Sequence, residues 1–180
     1  MINVSIARRY ARALFEVAAE ASQLDLIAEQ LHTFADWVSG DKNLHILLSD
    51  PAYTKVQRLS VVTQLLTQAE FQPLLANFLK LLVQRHRTAY LIDIERLYRE
   101  MADAQAGRIR GRLTSAVALS EETQRQIKLS LERLTQRDVI LESQVDPSLL
   151  GGVSAQLGSF IYDGSVRSQL EGLRRALQQG

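Results

Sequence analysis

The sequence predicts a mainly α protein, with an N-terminal six-helix bundle followed by a small α+β domain in the order β-α-β-β-α. Three observations carry this. From Val4 to about Gln105, apolar residues recur at helical spacing between short polar breaks. After Gly107 the apolar period falls from 3.6 to 2. Residues 151–180, GGVSAQLGSFIYDGSVRSQLEGLRRALQQG, combine glycine-bounded extended runs, an Asp163-Gly164 turn, and Val166, Leu170, Leu173 and Leu177 on one helical stripe. A division into residues 1–105 and 106–180, with Gln105 to Gly107 as the linker, follows from the change of period.

The helices are justified in turn. The first runs from about Val4 to Ala21. The second places Leu24, Ile27, Leu31, Phe34 and Val38 on one face and stops at Ser39-Gly40. Asp41 can cap a short third helix carrying Leu44, Leu47 and Leu48, which Asp50-Pro51 ends. Lys55 to Thr67 makes a fourth, with Leu59, Val62 and Leu66 inward. A fifth, about Phe71 to Gln84, accommodates Pro73 in its first turn, where a missing N–H costs nothing. The sixth carries Leu91, Ile94, Tyr98 and Met101. Short connections between such helices favour antiparallel neighbours.

Beyond Gly107, the run RIRGRLTSAVALS alternates Ile109, Gly111, Leu113, Ser115, Val117 and Leu119 against Arg108, Arg110 and Arg112. Ser120 caps the next helix, whose first turn holds Glu121 and Glu122 at the positive end of the dipole and whose inner stripe is Ile127, Leu131 and Leu134. VILESQV at 139–145 gives the second strand. Gly151-Gly152 opens the third, and the terminal helix follows Asp163, Gly164, Ser165, Val166 and Arg167.

Composition sets limits on function. With 46% apolar and 6% aromatic residues, the 180-residue chain has the makeup of a globular protein, and 21 basic against 20 acidic residues ask for no polyanion. The absence of cysteine removes disulfides and thiolate chemistry and fits a reducing compartment. The most apolar stretch, LLANFLKLLVQ at 74–84, is broken by Asn77 and Lys80 and falls short of the roughly 20 residues that span a bilayer. The N-terminus lacks a continuous apolar core and a cleavage-like site, so it reads as mature structure.

No catalytic or cofactor constellation emerges. His32, His45 and His86 fall in separate segments without ligand spacing, and neither GxxxxGK[ST] nor GxGxxG occurs, so no metal and no cofactor are expected. The N–H groups opening the helix at 164–166 can in principle bind an anion, but Arg167 reads better as an ion-pair or contact residue. Arg108, Arg110 and Arg112 could track phosphates, which makes a small helical nucleic-acid-binding protein the alternative reading. No aromatic residue interleaves them, and a solvated strand edge explains them better.

Helices one and five carry more apolar surface than one face needs. Ile6, Tyr10, Ala13 and Val17 form a stripe beside a second one of Ala7, Ala11, Leu14 and Ala18. Leu74, Phe78 and Leu81 lie beside Leu75, Leu79 and Leu82. Either both helices are central in the bundle, or Ile6, Tyr10, Ala13, Val17, Leu74, Phe78 and Leu81 line a groove for an amphipathic helix.

The tail, with Gly151, Gly152 and the run Asp163-Gly164-Ser165-Val166-Arg167, resembles the C-terminal signature of the delta subunit of bacterial F-type ATP synthase, the family of the oligomycin-sensitivity-conferring protein. The opening IARRYARALFEVA, with Ala7, Tyr10, Ala11, Ala13 and Phe15, is similar to that family's first helix. The resemblance implies a non-catalytic stator subunit of the proton-translocating enzyme, peripheral on the cytoplasmic face of the bacterial plasma membrane through the complex alone. It implies that the bundle binds the N-terminal helix of an alpha subunit between helices one and five, with Tyr10, Ala13 and Leu81 in contact. It further implies that the second domain binds the b subunits of the peripheral stalk.

Overall fold

A computed structural model describes residues 4–163 except 51, 150 and 159. Its elements are α1 (Val4–Glu20), α2 (Leu24–Gly40), α3 (Lys42–Ser49), α4 (Lys55–Gln68), α5 (Pro73–Gln84), α6 (Leu91–Gln105), β1 (Arg108–Ser115), α7 (Glu121–Thr135), β2 (Asp138–Val145), β3 (Val153–Leu157) and β4 (Phe160–Asp163), with a 3₁₀ turn at Thr88–Tyr90. The protein is thus mostly helical with one small sheet, as the sequence predicts. It divides into two compact units, Met1–Ala102 and Asp103–Gly180.

Local chemistry sets the helix starts. The Asp41 carboxylate accepts from the N–H groups of Asn43 (2.7 Å) and Leu44 (3.4 Å), opening α3 as expected. Thr54 and Gln57 form a reciprocal capping box on α4. Helix α5 begins at Pro73 itself, two residues later than the apolar pattern alone suggests, because proline at the first position leaves no orphan donor. Ser120 accepts from Thr123 N–H at 3.2 Å to open α7.

In the first unit, Ala7, Ala11, Leu14 and Ala18 of α1 are buried together with Ile27, Leu31, Leu75, Leu79, Leu82 and Ile94. Small residues on α1 let its backbone come close to its neighbours. Tyr98 is fully buried, and its hydroxyl donates to the Leu24 carbonyl at 3.0 Å. Burial, and secondarily the negative charge of Asp25, push the Tyr98 phenol well above its ordinary range. A tyrosine that stays neutral when folded but ionises when unfolded stabilises the protein fully only below the unfolded value, about 10. Stability should therefore fall as pH rises through and beyond about 10, and Tyr98→Phe should flatten that decline in pH-dependent thermal melts.

The second unit is a mixed sheet in the order β2-β1-β3-β4. Strands β1 and β2 are parallel, with Ile109 opposite Val139 and Leu113 opposite Ser143. Strands β1 and β3 are antiparallel, with Leu113 opposite Ala155 and Gly111 opposite Leu157. Leu113, Val139, Ala155 and Leu157 form the core with Leu131 of α7. Gly111 is required by this packing. A β-carbon there would lie 2.2 Å from Leu157 Cδ2 and 2.7 Å from the Gln156 carbonyl. Gly111→Ala should cost about 1–3 kcal/mol by overpacking, read as a lower urea midpoint for the second unit.

Four details differ from the sequence reading. β1 ends at Ser115, so Val117 does not continue the strand and is 67% exposed. In α7 the inner stripe is Ile127 and Leu131; Leu134, on the same stripe by count and one turn further on, is 67% exposed. The last extended stretch is a hairpin rather than one strand: β3 and β4 pair antiparallel around Gly158, giving four strands among the described residues. Finally, β1 is a central strand, not an edge. The terminal helix expected after Asp163 lies outside the described residues.

Candidate helix-binding groove and the arginine strand

The residues singled out on helices one and five fall on their outer shoulders. The rings of Tyr10 and Phe78 meet edge to face, 6.4 Å between centroids and 66° between planes. Phe78 is buried, Ile6 and Leu74 are half-buried, and Ala13 is exposed. Val17 is 51% exposed and Leu81 39%. The stripe of Ala7, Ala11, Leu14 and Ala18 thus fills the bundle, while that of Ile6, Tyr10, Ala13 and Val17 is left largely open. Of the seven groove candidates, Phe78 alone is core. Its ring carries the edge of Tyr10.

In the tail signature, Gly151 and Gly152 precede β3 with φ of +146° and +82°, backbone that side-chain-bearing residues rarely adopt. Asp163 ends β4. Gly164, Ser165, Val166 and Arg167 lie outside the described residues.

The three alternating arginines have unequal surroundings. Asp103, in the last turn of α6, is buried, and its carboxylate accepts from Arg110 Nε at 2.6 Å and lies 3.3 Å from Arg108 Nε. Arg112 is exposed. Two of the three guanidiniums are therefore committed to an internal carboxylate, which removes the phosphate-tracking face. Sequence reasoning missed Asp103, although its signal was present: an acid five and seven residues before two arginines, across a tight turn at Gly107.

The histidines are dispersed, as expected. His32 lies between Asp36 (3.3 Å) and Glu95 (3.1 Å), and Glu95 is in turn paired with Arg99. His86 Nδ1 sits 3.4 Å from the buried Arg58 guanidinium, which also donates to the Asp50 carbonyl at 2.6 Å. Since arginine can only donate, that histidine nitrogen is the acceptor. Among the described residues no group of histidine and carboxylate side chains could hold a metal ion, and no helix is long and apolar enough to cross a membrane.

Comparison with known proteins gives a consistent result. The family model described as ATP synthase delta (OSCP) subunit matches residues 6–177. The chain is 55% identical over 181 residues to ATP synthase subunit delta of Myxococcus xanthus (strain DK1622), covering 99% of this chain and 100% of the relative. It is 45% identical over 179 residues to ATP synthase subunit delta of Anaeromyxobacter dehalogenans (strain 2CP-1), with the same coverage. Among solved structures, the fold matches a chain of the Toxoplasma gondii mitochondrial ATP synthase hexamer with a TM-score of 0.69 at 23% identity, covering 96% of this chain and 97% of that one. A chain of the Polytomella F-ATP synthase matches 55% of this chain with a TM-score of 0.53. Nothing in these matches supports the nucleic-acid reading. A family match over almost the whole length, full-length relatives at these identities and the shared fold establish that the chain belongs to the ATP synthase delta (OSCP) subunit family, whose members are non-catalytic stator subunits of the rotary F-type ATP synthase.

Proposed function

We propose that this chain ties the stationary catalytic head to the peripheral stalk by two separate grips. Residues 1–105 hold the amphipathic N-terminal helix of the alpha subunit in the groove between α1 and α5, and residues 106–180 hold the b subunits. The subunit has no active site and no cofactor of its own. It lies on the cytoplasmic face of the bacterial plasma membrane only as part of the assembly. The observation that supports the first grip is a partly open apolar surface on α1 and α5: Tyr10 packs edge-on against Phe78, and Val17 and Leu81 of the same two helices are exposed. Such a surface is costly in water and is matched by the apolar face of a helix.

A connector under torque must dissociate slowly, and burial of about 1,200–2,000 Å² in total is an adequate scale for that. The test is calorimetric titration of the purified full chain with the N-terminal peptide of its own alpha subunit. Saturable heat with a dissociation constant of about 1 µM or tighter is expected, and no binding at that concentration overturns the reading. Trp37 gives a second readout, since it stacks on Phe71 at 5.4 Å, directly ahead of α5.

A further inference from the structure

We propose that residues 164–180 fold back over the uncovered margin of their own sheet, seating the stripe of Val166, Leu170, Leu173 and Leu177 on Phe160 and Tyr162 beside α7. This seat belongs to the free chain and is independent of either grip. Register places the two aromatic residues on the core face. Phe160 lies opposite Leu157 and Tyr162 opposite Ala155, and Leu157 and Ala155 in turn lie opposite Gly111 and Leu113 of β1. Side chains directly opposite one another share a face. On that face Leu113, Val139, Ala155 and Leu157 are buried in one cluster with Leu131 of α7. At β4 the cover stops, leaving Phe160 66% exposed and Tyr162 39%. A sheet face buried at its centre and open at one margin lacks part of its second layer.

The chain that follows β4 is suited to complete that layer. β4 runs antiparallel to β3 and β3 antiparallel to β1, so β4 is parallel to β1. Strand β1 hands its chain to α7, which returns over the core face to start β2 parallel to β1. Residues 164–180 leave from the same end of the sheet, after Asp163, and an equal return brings them alongside α7 over β3 and β4. Their apolar residues recur at 166, 170, 173 and 177, the spacing of one helix face, with Glu171 and Arg175 away from it. Eleven helical steps from Val166 to Leu177 and the five residues of β3 each cover about 16–17 Å, so stripe and strand match in length. Tethered at the margin of the patch, the segment reaches its seat with little loss of freedom, whereas a second copy or a foreign helix must give up translation and rotation.

The sequence contains no cysteine, so pairs can be introduced into the full chain without background. Under mild oxidation, Tyr162→Cys/Leu170→Cys and Phe160→Cys/Leu173→Cys should each form a disulfide within one chain, read by non-reducing electrophoresis and peptide mass. Two control pairs should cross-link at least about 10-fold less, because a disulfide needs β-carbons within about 4.5 Å. Phe160→Cys/Arg175→Cys takes the outer side of the segment, and Ile161→Cys/Leu173→Cys takes the opposite face of β4. In a chain without added cysteines, Leu170→Ser/Leu173→Ser should speed hydrogen exchange of the β3 and β4 amides by about 10-fold or more and leave that of the first unit unchanged. Equal cross-linking of all four pairs, or none in any, overturns the inference. So does a disulfide that joins two chains, which gives the face to a second copy, and so does unchanged exchange in the serine variant.

Discussion

Ala13→Asp should abolish alpha-peptide binding while leaving the free protein folded, at least 100-fold in dissociation constant by the same calorimetric titration. The two halves of that statement have different physical origins. In the free chain position 13 is exposed, so an aspartate there remains hydrated and costs only the helix-propensity difference, about 0.5–0.7 kcal/mol. Once a partner helix lies over the groove, the same carboxylate is pressed against an apolar face and loses its hydration. Burying an unpaired charge costs several kcal/mol, and about 2.7 kcal/mol already corresponds to 100-fold. A neighbouring position supplies the contrast. Ala11, one helical stripe over, is fully buried in the bundle, so Ala11→Asp should unfold the first unit outright. Undiminished binding by a folded Ala13→Asp chain would mean that the alpha helix docks elsewhere.

Asp103→Ala should destabilise the second unit by about 3 kcal/mol, equivalent to a fall of roughly 10–20 °C in its melting temperature for a unit of this size. One buried carboxylate answers two guanidiniums, so its removal takes an ion-pair partner from both at once. The value lies at the low end for a broken buried pair because Arg110 is partly exposed and water can solvate it. Asp103→Asn should be nearly as damaging, since the amide keeps one acceptor but no charge. The double change Asp103→Ala/Arg110→Ala should recover part of the loss, and the cycle of the four proteins isolates the pair's coupling. An unchanged melt for Asp103→Ala would show the clasp to be ornamental.

Much of this protein was legible because its signals are local. Asp41, Pro73 and Ser120 all stand at helix starts, where a side chain or a missing N–H acts on the next few residues. The change of period at Gly107 marks the β segment without reference to anything distant. The excess apolar surface of α1 was equally plain from the spacing of Ile6, Tyr10, Ala13 and Val17. The pairing order of the strands was not readable. Arginines alternating along one strand suggest an edge, and only the order β2-β1-β3-β4 shows β1 flanked on both sides. Leu134 fits a helical stripe by count, yet whether it is covered depends on where the sheet beneath the helix ends.

The central place of β1 also bears on how the chain is made. A ribosome delivers β1 and then β2, which can pair through α7 as soon as both have emerged. The other side of β1 stays open until β3 follows, about 40 residues after β1 ends. At about 5–20 residues per second that interval is a few seconds, during which an unpaired strand edge bearing Leu113 is displayed to every other nascent chain on the same message. Through that interval Arg108, Arg110 and Arg112, against the single carboxylate of Asp103, leave the open strand net positive, so two such edges meeting in register would repel. The arginines that look like a nucleic-acid patch in the sequence can thus act earlier, as guards of a strand still waiting for its partner.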